Sequence, residues 1–142
     1  MKMTENFKII SSFIKDMSSE TPDAQTFIFV RDKISKYRLK IDINSKAVKN
    51  GIIEVNTILK FSDQPEVLKK SHFEITYTSI VKVDEKISDK KEMEKIILCD
   101  VPNKIYPDLE RIFLNLLTDS GYPGIKFGKK IDFIELYKQR SN

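Results

Sequence analysis

Alternating apolar and polar positions mark the middle of the chain as β-structure. From Tyr37 to Asn44 every second residue is apolar, which is typical of a strand with one buried face and one solvated face. The same alternation runs from Ile53 to Phe61, and Asn50-Gly51 between the two segments is typical of a tight turn. We therefore predict two antiparallel strands joined by a short connection.

Two further strands are predicted on either side of this hairpin. The loose alternation from Phe7 to Lys15 indicates a strand that ends near Asp16 and is partly buried on both faces. The stretch from Val67 to Asp84 predicts a long strand, one face of which is formed by Phe73, Ile75, Tyr77, Ser79, Val81 and Val83. The apolar stretch from Thr26 to Val30 has no clear period. It lies in the long connection between residues 18 and 36 and predicts either a short strand or the lining of a groove.

The second half of the chain carries a strong helical pattern. Its apolar residues recur at the spacing that forms a stripe along one side of a helix: Leu109, Ile112, Phe113, Leu116 and Leu117. Pro107 suits the first turn of this helix, because its missing N–H costs nothing there. Gly121 marks the end of the helix, and Pro123-Gly124 prevents it from resuming.

Two shorter helices are indicated by acidic capping residues. Asp132 and Glu135 have the spacing of a capping box, and the helix that they open has an apolar face of Phe133, Leu136 and Tyr137. Asp89 and Glu92 have the same spacing, and Pro102 should end or kink the helix that follows them.

The order of these elements predicts the fold class. Four strands are followed by helices without strand–helix–strand alternation, which favours an α+β architecture over a parallel sheet. We predict one domain over residues 1–142, with a four-stranded antiparallel sheet and helices packed on one of its faces.

Composition narrows the class of protein. Of the 142 residues, 40% are hydrophobic and 32% are charged, which is typical of a globular chain. No apolar run approaches the roughly 20 residues that cross a bilayer, and the first residues lack the apolar core of a signal peptide. We therefore expect a cytoplasmic protein without direct membrane insertion.

The single Cys99 and the single His72 allow neither a disulfide nor a zinc cluster, and no cofactor is expected.

The charge pattern and the search for catalytic motifs favour a binding protein. The net charge is +4, but the lysines are scattered and interleaved with acids, which favours a solvated surface over a nucleic-acid interface. A nucleic-acid-binding module that uses this lysine surface remains the alternative from another class. The chain contains no glycine-rich phosphate loop, no Gly-x-Ser-x-Gly motif and no readable Cys–His pair. We therefore do not expect an enzyme.

Three stretches in register resemble one known family. Residues 13–22 read FIKDMSSETP, similar to an aromatic-x-Lys-Asp-aliphatic-Ser-x-Glu-x-Pro segment at the end of that family's first strand. Residues 102–107 read PNKIYP, and GYP at 121–123 with IDFIELY at 131–137 is similar to the family's closing motifs. The family is SecB, the bacterial protein-export chaperones, and the resemblance covers roughly residues 7 to 140.

This resemblance implies a function. A SecB-like chain would be a homotetramer, a dimer of dimers, that holds unfolded precursor proteins without a cofactor and delivers them to the SecA motor. The alternative within the family is a SecB-like chaperone dedicated to another partner, such as an antitoxin.

The resemblance and the apolar pattern also predict surfaces. The acids that match SecA-binding positions are Asp16, Glu20 and Glu74, and carboxylates can bind a basic partner segment through charge-assisted hydrogen bonds. Candidate client-binding residues are Phe27, Phe29, Ile125, Phe127, Phe133 and Tyr137, because aromatic side chains offer apolar area that tolerates many sequences. Candidate subunit-interface residues are Phe73, Ile75, Tyr77, Leu109, Ile112, Phe113 and Leu116.

Overall fold

The protein forms one antiparallel sheet with helices on one face, as seen in a computed structural model that describes residues 6–63, 69–127 and 131–141. The strands are β1 (Phe7–Glu20), β2 (Arg38–Lys49), β3 (Ile52–Ser62) and β4 (His72–Val83). Their order across the sheet is β1-β4-β3-β2, and every neighbouring pair is antiparallel. The predicted α+β class and four-stranded sheet are confirmed.

Along the chain, one helix lies between β1 and β2, and three helices follow β4. They are α1 (Ala24–Arg31), α2 (Lys90–Lys95), α3 (Val101–Asp119) and α4 (Phe133–Ser141). A short 3-10 turn at Ile34–Lys36 precedes β2, and a π-helical turn at Ile96–Asp100 joins α2 to α3.

The predicted hairpin forms as its sequence indicates. Asn50 and Gly51 both have positive φ angles, 51° and 75°, the combination that a two-residue turn needs to match the twist of its strands.

Other strand boundaries differ from the prediction. β1 continues past Asp16 to Glu20, with register irregularities at Ile9/Ser11 and Ile14/Asp16, because it pairs with β4 along its whole length. β4 begins at His72, and the predicted start at Val67 lies outside the described residues.

One of the two alternatives for the segment from Thr26 to Val30 was wrong, because the segment is not a strand but part of α1. The other alternative, the lining of a groove, holds for Phe29, which lines a cleft next to the start of β2. Asp23 caps this helix, since its carboxylate accepts a hydrogen bond of 2.7 Å from the backbone N–H of Thr26. That hydrogen bond also lowers the pKa of Asp23. Helix formation here depends on this cap rather than on an amphipathic repeat.

The long helix begins earlier than predicted and ends where predicted. α3 starts at Val101, so Pro102 lies in its first turn and Pro107 lies inside it. The π-helical turn before Pro102 keeps the chain helical at the position where the prediction placed a stop or kink. At the other end, Gly121 has φ of 103°, and the Tyr122 N–H bonds to the Leu117 carbonyl at 2.9 Å. This is a Schellman ending of the helix.

The two predicted acidic caps are present. The Asp132 carboxylate accepts a hydrogen bond from the backbone N–H of Glu135 at 3.1 Å, directly before α4. The Asp89 carboxylate accepts one from the backbone N–H of Lys91 at 3.3 Å, directly before α2.

The core lies between the sheet and α3. The predicted face of β4 is buried from Phe73 to Val83. Its first half belongs to one cluster with Leu109, Phe113 and Leu117 of α3. Val81 and Val83 belong to a second cluster with Ile96 and Val101. We call the helix-covered side of the sheet its inner face. The other side is called the outer face, and no helix of the described chain covers it.

Candidate functional site

The three predicted acids lie close together on the outer face. Asp16 pairs with Thr76 across the β1–β4 ladder, and Glu20 pairs with His72. Glu74 lies on β4 between these two positions and opposite Ser18. Because directly opposite residues share a face of the sheet, the register brings the three carboxylates onto one surface. Asp16 and Glu20 are exposed, and Glu74 is partly exposed.

A lysine partly compensates this acidic cluster. The Lys60 ammonium lies 3.3 Å from a carboxylate oxygen of Glu74. Asp16 and Glu20 make no such ion pair within the described residues. A basic partner would therefore meet two uncompensated carboxylates on β1 and a third that is already paired.

Two of the predicted client-binding residues lie on α1. Phe27 is half-buried, and its ring centroid lies 5.2 Å from that of Tyr122. Phe29 is 39% exposed. Phe27 thus packs α1 against the residue that follows α3, while the apolar side chain of Phe29 is partly exposed.

Two more of these residues follow the Gly121 turn and cover the aromatic core. Ile125 and Phe127 are half-buried. The ring of Phe127 lies 5.6 Å from Phe61 and 6.0 Å from Phe113, measured between centroids. One side of Phe127 therefore belongs to the core, and its remaining exposed surface is available for contact.

The two predicted client-binding residues of α4 differ in accessibility. Phe133 is only 1% exposed and packs against Tyr106 at 5.6 Å between centroids. It is a core residue in this chain. Tyr137 is half-buried and lines an apolar groove beside the sheet.

This groove runs along β2, an edge strand of the sheet. It encloses about 220 Å³ and is lined by Leu39, Lys40, Ile41, Ile43, Leu98, Leu136 and Tyr137. We call it the edge groove. Apart from Tyr137, sequence reasoning assigned none of these residues to a binding surface. The apolar alternation of β2 was visible in the sequence, but it could not show that β2 lies at an edge and leaves this face half-covered.

Most of the predicted subunit-interface residues are buried within the single chain. Tyr77 is 9% exposed, and the following have no exposed surface at all: Phe73, Ile75, Leu109 and Phe113. They connect β4 to α3, so a second chain could touch them only if the core opened. Ile112 and Leu116 on α3 are half-buried and remain accessible.

Sequence reasoning did not single out the exposed apolar residues of β1. This strand is the other edge of the sheet. Ile10, Phe13, Ile14 and Met17 are each between 43% and 50% exposed. Ile14 and Met17 pair with Tyr77 and Ile75, so they lie on the inner face together with α3.

A buried polar network supports the region beside α1. The Tyr37 hydroxyl accepts a hydrogen bond of 2.8 Å from the backbone N–H of Ser71, and the Ser71 hydroxyl lies 2.7 Å from that of Thr21 and 3.3 Å from that of Tyr122. Burial raises the pKa of Tyr37. The network joins the residue before β4 to the residues that follow β1 and α3 and to Tyr37 before β2.

The described residues give no indication of a metal site, a reactive thiol or a membrane-spanning helix. Within it, no group of three or more His, Cys, Asp or Glu side chains is arranged to hold a metal ion. Cys99 is buried, and burial raises the pKa of its thiol, which disfavours the reactive thiolate. No helix in the described ranges is long and apolar enough to cross a membrane.

Comparison with protein families gives a match over the full length. The model of the family described as "Preprotein translocase subunit SecB" matches residues 1–142. A protein-export protein SecB of Pelagibacter ubique is 89% identical over 140 residues, which cover 99% of this chain and all of the relative. Another, from Parvibaculum lavamentivorans, is 26% identical over 135 residues that cover 94% of this chain and 77% of the relative.

Solved structures share the fold at low sequence identity. The SecB-like chaperone Rv1957 of Mycobacterium tuberculosis, solved with a peptide from the HigA1 antitoxin, superposes with a TM-score of 0.66 at 9% identity. The alignment covers 89% of this chain and 91% of that one. A Streptococcus agalactiae protein of unknown function gives a TM-score of 0.52 at 7% identity, over 84% of this chain and 94% of that one.

Proposed function

The chain belongs to the SecB family, and on this premise we propose that it is a chaperone of preprotein export. It binds unfolded precursor proteins in the cytoplasm and delivers them to the SecA motor. The proposal requires no catalysis and no cofactor. The observation that carries it is the edge groove, an apolar surface directly beside the unpaired side of the edge strand β2.

The edge groove is suited to an unfolded client in two ways. β2 has a free side on which an extended chain can form backbone hydrogen bonds. Beside it, Leu39, Ile41 and Ile43 supply branched apolar side chains, and Leu136 and Tyr137 of α4 complete the opposite wall. Backbone pairing does not depend on client sequence and apolar contact depends on it weakly, so the groove can accept many clients.

The proposal is tested by suppression of aggregation of a chemically unfolded protein at low and high salt. We expect Leu136→Asp to weaken suppression, because it places a carboxylate in the groove. The matched control is Ile134→Asp, since Ile134 is on the same helix and more exposed but does not line the groove. Suppression that is absent in the wild-type protein, or equal losses in both variants, would contradict the proposed site.

For SecA, we propose docking on the outer face at Asp16, Glu20 and Glu74. The support is their placement on one surface, with two of the three carboxylates uncompensated. Asp16→Lys with Glu20→Lys should weaken SecA binding by roughly tenfold at low salt, since each exposed charge pair contributes up to about 1 kcal/mol. Glu85→Lys with Glu92→Lys makes the same change in net charge away from this surface and is the control. Equal affinities of the two double variants would rule the site out.

For assembly, we propose a homotetramer built as a dimer of dimers. The support is the unpaired β1 edge with exposed Ile14 and Met17, together with half-buried Ile112 and Leu116 on the same side of the sheet. Edge strands with exposed apolar residues are ready templates for pairing with a second chain. Light scattering should report a particle of about four 16.6 kDa chains. A monomer at micromolar concentration would exclude this assembly.

A chaperone dedicated to one partner is the second candidate function. The observation that favours it is the fold shared with a SecB-like chaperone that was solved with an antitoxin peptide. Affinity purification from cells that express the tagged protein separates the two readings. Many precursor proteins together with SecA support export, whereas one small regulatory protein in stoichiometric amount supports the dedicated role.

A further inference from the structure

The free edge of β2 differs in charge from one face to the other. On the inner face it carries the apolar residues of the edge groove. On the outer face its alternate positions include Arg38 and Lys40, both exposed. An extended peptide added to this edge would therefore meet apolar side chains at every second position and cations at positions between them.

The cations at this edge lack compensation from the sheet itself. Lys40 lies directly opposite Lys60 on β3, and like charges in that position destabilise a sheet. The Lys60 ammonium is paired with Glu74 at 3.3 Å, whereas Lys40 makes no ion pair within the described residues. Arg38 lies opposite the neutral Ser62 and also has no acidic partner among them. Asp42 is the one acid on this face of β2 and has an interaction of its own.

Positively charged side chains are also found next to the beginning of β2. A wider cleft of about 620 Å³ lies there, with the apolar side chain of Phe29 on its wall. Its charged lining consists of Lys33, Lys36 and Arg38 against the single acid Asp63. Apolar surface and positive charge therefore lie side by side in both cavities next to the edge strand.

We propose that the β2 edge selects extended client segments in which apolar residues alternate with acidic ones. The segment adds to the sheet as a fifth strand, placing its apolar side chains in the edge groove and its carboxylates against Lys40 and Arg38. This inference rests on the proposed client-binding function and names the class of sequence that the site prefers. The cross-strand ion pairs place an opposite charge on the free side of Lys40, whose neighbour on its other side is Lys60.

The test compares labelled eleven-residue peptides that bind the full-length protein, measured by fluorescence anisotropy at low salt. One peptide alternates leucine with glutamate, a second replaces glutamate with lysine, and a third is the first with N-methylated amides on the edge-facing positions. We expect the glutamate peptide to bind roughly tenfold tighter than the lysine peptide, from two cross-strand charge pairs. N-methylation should abolish its binding advantage, because it removes the strand hydrogen bonds.

Variants decide whether Arg38 and Lys40 cause the preference. Arg38→Glu with Lys40→Glu should invert it in favour of the lysine peptide. Lys8→Glu with Lys82→Glu makes the same charge change at another cross-strand pair of the outer face and should leave the preference in place. Circular dichroism of each variant checks that the sheet is intact.

Two other outcomes separate this inference from the proposed function. Equal binding of the two charged peptides, or full binding of the N-methylated one, overturns the inference while suppression of client aggregation still stands. Loss of all peptide binding together with absence of aggregation suppression overturns both.

Discussion

Gly121 offers a sharp test of how α1 is held in place. It has φ of 103°, a backbone conformation that residues with a Cβ rarely adopt. A Cβ at this position would lie only 2.5 Å from Cε2 of Phe27 and 2.8 Å from its Cζ. Gly121→Ala should therefore introduce two costs, backbone strain at residue 121 and displacement of the Phe27 ring.

The size of each cost follows from the structure. A left-handed conformation costs an alanine about 1–2 kcal/mol. Pushing a packed side chain out of place costs about 1–3 kcal/mol, and the Phe27 ring is confined by Tyr122 at 5.2 Å. Together the free energy of unfolding should fall by about 2–5 kcal/mol in Gly121→Ala.

Urea denaturation at one protein concentration measures this change, since association would shift apparent stability. Gly124→Ala is the matched control, because Gly124 also has a positive φ, 81°, but a Cβ there would meet nothing within 4 Å. It should show only the backbone cost. In a Phe27→Ala background, Gly121→Ala should likewise cost no more than Gly124→Ala. If Gly121→Ala costs the same with and without the Phe27 ring, the close contact does not explain the glycine, and the account of how α1 docks is wrong.

Three further predictions concern assembly, pH and the outer face. Met17→Asp should reduce the particle mass measured by light scattering, whereas Val48→Asp on the opposite edge, equally apolar and 53% exposed, should not; unchanged mass in Met17→Asp would exclude β1 from the interface. The pKa of Asp23 is lowered in the folded state, so its contribution to stability is present above its unfolded value of 3.8 and is lost as the pH falls through the lower folded value. The stability gap between wild type and Asp23→Ala should therefore close in acid, and a gap that persists at pH 2 would contradict the cap. Asn56→Ala should cost about 1–3 kcal/mol in urea denaturation, because it leaves the buried Thr78 hydroxyl without its acceptor at 2.6 Å, and adding Thr78→Val should recover part of that loss.

The sequence predicted the strands better than the segment that follows β1. Period-two alternation located β2 and β3, since every second side chain must be apolar to cover one face. The apolar residues from Thr26 to Val30 carry no such period. Their helix depends on a capping carboxylate at Asp23 and on contact of Phe27 with Tyr122, almost a hundred residues away. Local pattern could not reveal a contact of that range.

The predicted site residues also divide into those that local pattern could place and those that only long-range contacts could place. Phe133 and Tyr137 occupy neighbouring turns of α4 and looked equivalent in sequence, yet Phe133 is buried against Tyr106 and Tyr137 lines the edge groove. The predicted acids also depended on the structure. Asp16 and Glu20 share a face because β1 continues past its predicted end near Asp16 and pairs with β4 as far as Glu20. Glu74 joined them only through the β1–β4 register.

The sequence by itself determined which faces of the strands are apolar, where the hairpin turns and where α3 ends, because these follow from side-chain period and from the backbone freedom of Asn50, Gly51 and Gly121. It also carried the motifs that place the chain in its family. Only the tertiary structure decided which strands lie at the edges. Leu39 and Ile41 on β2 have the same alternating pattern as Phe73 and Ile75 on β4, but β4 is central and its inner face is buried, while β2 has one free side. Strand order is set by long-range packing, and it turns one apolar face into core and the other into the wall of a half-covered groove.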